Sequence, residues 1–219
     1  MWRLVFLVLC QIGIIQTIYA FEQGDYDLLI NNNIKLFKKL DLSRAVIQNI
    51  EFRNVIFYEI NFYRANLVNV DFIDCTFYKV DFDGAILENV CFDNLFCWFS
   101  SFFLTAIKNS TISGRFETVD FNNASFTDVQ AQDTRWSRVT FQYAFFDMIN
   151  FENAIFDNVD IFRAKIGYGS FRRAIFRNSY GCSFNKKNKI VLGYTKRDDL
   201  RVYNCKKDQS VNLLADPVW

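Results

Sequence analysis

An all-β solenoid wound as a four-sided coil is the fold class this sequence predicts, on three regularities. An apolar residue returns at every fifth position from Phe37 through Leu42, Ile47, Phe52 and Phe57 to Ile112. One residue is then dropped, and the beat resumes at Phe116 and runs to Phe176. Together the two runs hold 29 positions, 18 of them Phe. A helix repeats at 3.6 residues and a flat strand at 2, so neither accounts for a period of five. The second regularity is a small or β-branched residue two places before each large one, such as Ala45, Val55, Ala65, Val70, Ala124 and Val139. Residues two apart on an extended segment point to the same side, so both sets line the interior. The third is a spacing of 20, at which Asn49, Asn69, Asn89 and Asn109 recur, as do Tyr58, Tyr78 and Trp98. Four extended pieces, each closed by a corner, give that spacing.

Residues 1–20 stand outside the beat. Arg3, an apolar run from Leu4 to Ile15 and the closing Tyr19-Ala20 read as a signal peptide. The run is short and broken by Gln11 and Gln16, which argues against a stable membrane span after signal removal. An uncleaved N-terminal anchor is the alternative. Residues 21–36 form a capping segment, with a short amphipathic helix expected from Asp25 to Asn33. A solenoid needs such a cap to shield its first coil and block edge-to-edge growth. Residues 37–178 are the coil. Residues 179–219 are expected to form a C-terminal cap and tail, in which Lys189–Tyr194 and Leu200–Cys205 alternate like the strands of a hairpin.

Within the coil, Ala65-Asn66-Leu67-Val68-Asn69 and Leu40-Asp41-Leu42-Ser43-Arg44 carry one unit each. Val70-Asp71-Phe72 and Val80-Asp81-Phe82 are Phe-centred variants. These units resemble the pentapeptide-repeat family, and the resemblance covers Leu40 to Asn178. It implies a right-handed quadrilateral β-helix. At four units per coil the chain makes about seven coils, a rod roughly 34 Å long at ~4.8 Å per coil. The Phe column fills the axis, so a packed core is expected and no internal ligand cavity.

Composition narrows the function. The chain has no histidine, which removes the usual general base, the usual metal ligand and every Ser-His or Cys-His nucleophile. No phosphate-binding glycine loop or nucleophile elbow occurs. Asp71, Asp74, Asp93, Asp133 and Glu152 are candidates for one face, but Asp is favoured beside each core residue and makes no catalytic pair. No catalytic residue, no cofactor and no metal site is predicted. Loss of residues 1–20 removes Arg3 from the 25 basic residues and leaves them equal to the 24 acidic ones. Basic residues crowd the C-terminal end, from Arg163, Lys165, Arg172, Arg173 and Arg177 to Lys186, Lys187, Lys189, Lys196 and Arg197. They read as a solvated end or as a docking face for an anionic partner.

Of six cysteines, Cys10 leaves with the signal, Cys75 and Cys97 occupy inward positions, and Cys91 faces outward. Cys182 and Cys205 both fall in the C-terminal cap and are the candidate disulfide of an oxidising compartment.

One surface feature stands out. By register, Phe96, Trp98, Phe99, Phe103 and Leu104 point outward or sit at corners. Tyr58 and Tyr78 run into this patch, and Tyr63 lies on the side of Phe103. Contiguous exposed aromatic area marks an interaction site, unless a terminal segment folds back over it. The expected function is a non-catalytic exported scaffold, in the periplasm, outside the cell or in an organelle lumen. Its partner is another protein or a second copy, as a homodimer. Two alternatives remain. Some pentapeptide-repeat proteins resemble B-form DNA and inhibit or shield type II topoisomerases, but such rods are cytosolic and markedly acidic, and no nucleic acid partner is expected here. The other alternative is an effector delivered into a host.

Overall fold

Each five-residue unit turns a corner because one residue takes the left-handed conformation. In the computed structural model, which describes residues 35–180 and the backbone of 195–196 and 201–203, 26 non-glycine residues have φ between 49° and 59°. Every one of them lies two places after a core centre, from Lys39 and Arg44 to Asn178. Half are Asn or Asp, whose short polar side chains tolerate this region best among residues with a Cβ.

Between corners the chain is extended and pairs in parallel with the coil before and after it. Leu36–Lys38 pairs with Ile56–Tyr58, and that strand with Thr76–Tyr78, each 20 residues on. Asn66–Ile73 lies between Val46–Arg53 on one side and Ile86–Glu88 and Cys91–Trp98 on the other. Bonds such as Leu42 N–H to the Asn61 carbonyl (2.8 Å) and Asn66 N–H to the Ala45 carbonyl (2.8 Å) tie the coils between strands. The result is a quadrilateral β-helix with four faces. The first face is centred on Phe37, Phe57, Phe77, Cys97, Phe116, Trp136, Phe156 and Phe176. The second, third and fourth begin with Leu42, Ile47 and Phe52, and the first and third lie opposite each other.

The axis is filled by rings. Along one face they stack, as Phe82 on Phe102 (4.7 Å between centroids) and Phe102 on Phe121 (4.6 Å). Across faces they meet edge to face, as Phe52 against Phe57 at 90°. Such pairs each contribute about 0.5–1.5 kcal/mol beyond the area they bury. An apolar void beside Phe141, Phe151 and Ile166 has a volume of about 10 Å³, no more than one water would need.

The dropped residue has a structural cause. Phe92 pairs with Ile112, but Leu95 then pairs with Gly114, so one coil is a residue short. Gly114 serves both as the corner after Ile112 and as the inward residue before Phe116. Its φ is +119°, and a Cβ there would lie 2.1 Å from the Leu95 carbonyl oxygen. Only glycine fits so close an approach.

The same coil places hydroxyls where most other coils have aliphatic residues. Ser100, Thr105 and Ser110 are buried at inward positions. Ser100 Oγ accepts from Val80 N–H (3.0 Å) and donates to the Trp98 carbonyl (2.9 Å). Ser110 Oγ accepts from Val90 N–H (3.0 Å), and Thr105 Oγ1 donates to the Phe82 carbonyl (2.7 Å). Each hydroxyl is therefore satisfied inside the wall.

Of the expected C-terminal hairpin, Lys189–Tyr194 lies outside the described residues, and the described part pairs differently. Thr195–Lys196, placed at the hairpin turn by the sequence, is a strand that pairs in parallel with Gly169–Ser170. Arg201–Tyr203 pairs in parallel with Ile175–Arg177. Both pairs are 26 residues apart, where the coils before them are 20 apart. The leader, the Asp25–Asn33 helix, Cys182 and Cys205 all lie outside the described residues.

Candidate interaction surface

On the first face the residues flanking each core centre form two outward columns. One reads Leu36, Ile56, Thr76, Phe96, and the other Lys38, Tyr58, Tyr78, Trp98. Strand register alone brings these side chains together. Tyr58 stacks on Tyr78 at 5.1 Å and 15°, and Tyr78 meets Phe99 edge to face at 5.7 Å. Phe96 and Trp98 contact each other at 4.0 Å. Trp98 Nε1 donates to Glu117 Oε2 (3.2 Å), and Glu117 also holds Arg138.

Cations border the stripe. Lys38 Nζ lies 5.1 Å from the Tyr58 ring centroid, and Lys79 Nζ lies 5.4 Å from that of Tyr78. Glu59 is paired with both Lys39 (3.8 Å) and Lys79 (3.5 Å) along the corner. The Glu59 charge pushes the neighbouring Tyr58 hydroxyl up from its ordinary pKa.

The structure therefore joins five of the eight predicted patch residues in one stripe, Tyr58, Tyr78, Phe96, Trp98 and Phe99. Phe103 and Tyr63 lie round the corner on the second face, in one column interrupted by Asp83. Leu104 stands at the next corner. Phe99 and Leu104 are 55% and 57% exposed, while the other six are half-buried. Leu36 and Ile56, exposed at 53% and 44% on the first face, extend the stripe and escaped the sequence reading. They sit inside apolar runs, Leu36-Phe37 and Val55-Ile56-Phe57, where only the register separates an outward residue from two inward ones.

A second apolar cluster was also missed. Tyr143, Phe145, Met148 and Tyr168 are exposed on the third face and its corners in the later coils. Arg163 lies over the Phe162 ring (5.0 Å) and donates to the Tyr143 hydroxyl (3.3 Å).

The remaining candidates are engaged by neighbours. The five carboxylates Asp71, Asp74, Asp93, Asp133 and Glu152 do share the fourth face and its corner. Asp74 accepts from Asn94 (2.8 Å), Asp133 from Asn153 (3.0 Å), Asp93 from Ser113 (3.0 Å), and Glu152 holds Arg172. Burial, and then the charge of Glu51, push the Asp71 carboxyl up from its ordinary pKa. The described residues contain no cluster of ligands suited to a metal ion. Of the C-terminal basic residues, Lys186, Lys187, Lys189 and Arg197 lie outside the described residues. Cys75 and Cys97 are buried thiols that burial pushes up to about 11 and about 12, which makes them inert packing groups.

A parallel β-solenoid with a filled core defines a class, the repeat solenoids. The family model for pentapeptide repeats matches the chain in 8 copies over residues 56–94 and 120–158. Over these two segments the chain carries pentapeptide repeats. A trypsin-treated variant of QnrB1, a plasmid-mediated fluoroquinolone resistance protein, is similar in structure with a TM-score of 0.55. It is 16% identical over 81% of this chain and 92% of its own. HetL is a pentapeptide repeat protein involved in heterocyst differentiation regulation, from the cyanobacterium Nostoc sp. strain PCC 7120. It is 10% identical over 81% of this chain and 93% of its own, with a TM-score of 0.33. No curated protein matches the chain in sequence.

Proposed function

We propose that this protein is an exported, non-catalytic scaffold that binds another protein through the aromatic stripe of its first face. One observation carries the reading. Tyr58, Tyr78, Phe96, Trp98 and Phe99 form a contiguous, partly exposed aromatic surface with Leu36 and Ile56 beside it. Partly buried aromatics bordered by Lys and Arg make the kind of surface on which binding energy concentrates at protein interfaces. Among the described residues no helix is long and apolar enough to cross a membrane.

The test replaces Trp98 by Ser and Phe99 by Asp in one chain, since Asp suits the left-handed corner and forms no glycan acceptor with Ser100-Ser101. Complexes of the unmodified protein are isolated by crosslinking in its own cell, and their mass is measured by light scattering. The double substitution is expected to abolish the complex while far-UV circular dichroism and the melting temperature stay within a few degrees. A complex that survives it overturns the reading. Intact mass of the protein from that cell tests export, with a chain beginning at Phe21 expected.

A further inference from the structure

The first face holds the aromatic stripe, while the opposite face carries a different chemical signal at its two edges. Asn109-Ser110-Thr111 and Asn123-Ala124-Ser125 are the only two tripeptides in the chain of the form Asn-X-Ser/Thr with X other than Pro. That tripeptide is the acceptor of N-linked oligosaccharide in secreted proteins. The fold presents both in one way. Each Asn is an exposed corner residue, with φ of 49° at Asn109 and 59° at Asn123. Each middle residue points inward and is buried, Ser110 at 2% and Ala124 at 0%. The hydroxyl residue returns to the outside, exposed at Thr111 and half-buried at Ser125.

The two side-chain amides also differ from those that hold the corners together. Asn69 and Asn89 donate down their column to Asn49 and Asn69 (2.9 and 3.0 Å), and Asn94 and Asn153 donate to aspartates. Asn109 continues the first of these columns, yet among the described residues neither its amide nor that of Asn123 makes a hydrogen bond. Asn109 closes the third face on one side, and Asn123, a coil further on, opens it on the other.

We propose that Asn109 and Asn123 are N-glycosylation sites, a reading that rests on export into a secretory lumen. The oligosaccharide comes from a lipid-pyrophosphate donor. The side-chain Nδ2 forms the bond to the anomeric carbon, the bond from that carbon to the pyrophosphate oxygen breaks, and the lipid pyrophosphate leaves with the electron pair. The amide proton passes to a base of the transferase. Asn123 follows Leu104 in the same corner column, so a glycan there covers that exposed side chain. Both glycans leave the first face open, and the docking surface narrows to the stripe of Tyr58, Tyr78, Phe96, Trp98 and Phe99.

The experiment expresses the full chain in a eukaryotic secretory cell in two versions, one with its own first twenty residues and one behind the leader of an established secreted protein. Protease protection shows which version enters the lumen. Digestion with an amidase that releases N-glycans converts each occupied Asn to Asp, read by peptide mass. Two glycans are expected, with Asn109→Asp and Asn123→Asp each removing one and the pair removing both. Asp keeps the corner, because it tolerates the left-handed region as Asn does. Chain that has entered the lumen with both asparagines unmodified overturns the inference, and modification at one alone overturns it for the other. Glycosylation of the second version only, with the first left in the cytosol, upholds the sites and sinks the export reading instead.

Discussion

Phe99 and Leu104 occupy corners at φ of 49° and 58°, where a side chain with a Cβ costs free energy and where other coils place Asn. Both are also exposed, but Phe99 meets the Tyr78 ring whereas the fold gains little from the Leu104 methyls. Leu104→Asn is expected to leave the rod as stable or to raise its stability by about 0.5–1 kcal/mol, read by urea denaturation. A loss above 1 kcal/mol would show that the side chain packs against the rod. Asp71 allows a pH test at the same scale. Its carboxyl is pushed up from its ordinary pKa by burial and by Glu51, so the folded form resists ionisation. The unfolded chain ionises first, at about pH 4. Stability relative to Asp71→Asn is therefore lost as pH rises from that point through the folded pKa, and the full difference persists at neutral pH. Asp71→Asn should melt higher than the unmodified chain at pH 7, and the two should melt together at pH 3.

At the scale of the single coil, the short unit around Gly114 is where sequence and structure constrain each other most. A Cβ there would lie 2.1 Å from one backbone atom of Leu95 and 2.5 Å from another, and backbone cannot move aside as a side-chain end can. Gly114→Ala is expected to cost about 3 kcal/mol or more, as strain at a special backbone position does. Differential scanning calorimetry reads this as a lowered melting temperature, and an unchanged one would mean that the neighbouring coils relax. The sequence shows this feature as a missing beat, which is legible because every later Phe shifts by one. It does not show the inward hydroxyls of Ser100, Thr105 and Ser110, which look like surface residues until the coil closes and their partners Val80, Phe82 and Val90 come into reach.

For the whole rod, the parallel register makes the coil of 20 residues the unit of tolerance. Deleting residues 138–157 joins Ser137 to Asn158, which follows the equivalent Asp157, and keeps every column on its face. A folded, cooperative, shorter rod is expected, since each coil of a solenoid contacts only its neighbours. Deleting five residues, 138–142, instead turns every later coil by a quarter relative to those before it. That variant should lose stability or aggregate, as size-exclusion chromatography and denaturation would show. Equal behaviour of the two deletions would mean that the columns contribute nothing.

The sequence by itself determined the period, the apolar inward residues, the corners and the dropped position. Each of these follows from the geometry of a single extended unit, and the unit repeats often enough to be read without partners. Only the tertiary structure decided what meets what on the outside. Tyr58, Tyr78 and Phe99 are far apart in the chain and touch because coils stack in register. Tyr63 and Phe103 separate from them because a corner intervenes. Leu36 and Ile56 join the stripe because alternation across a parallel strand points them away from the core. The same stacking paired Thr195–Lys196 with a coil 26 residues earlier, since hydrogen bonding between neighbouring strands needs adjacency in space and not an unbroken repeat in the chain.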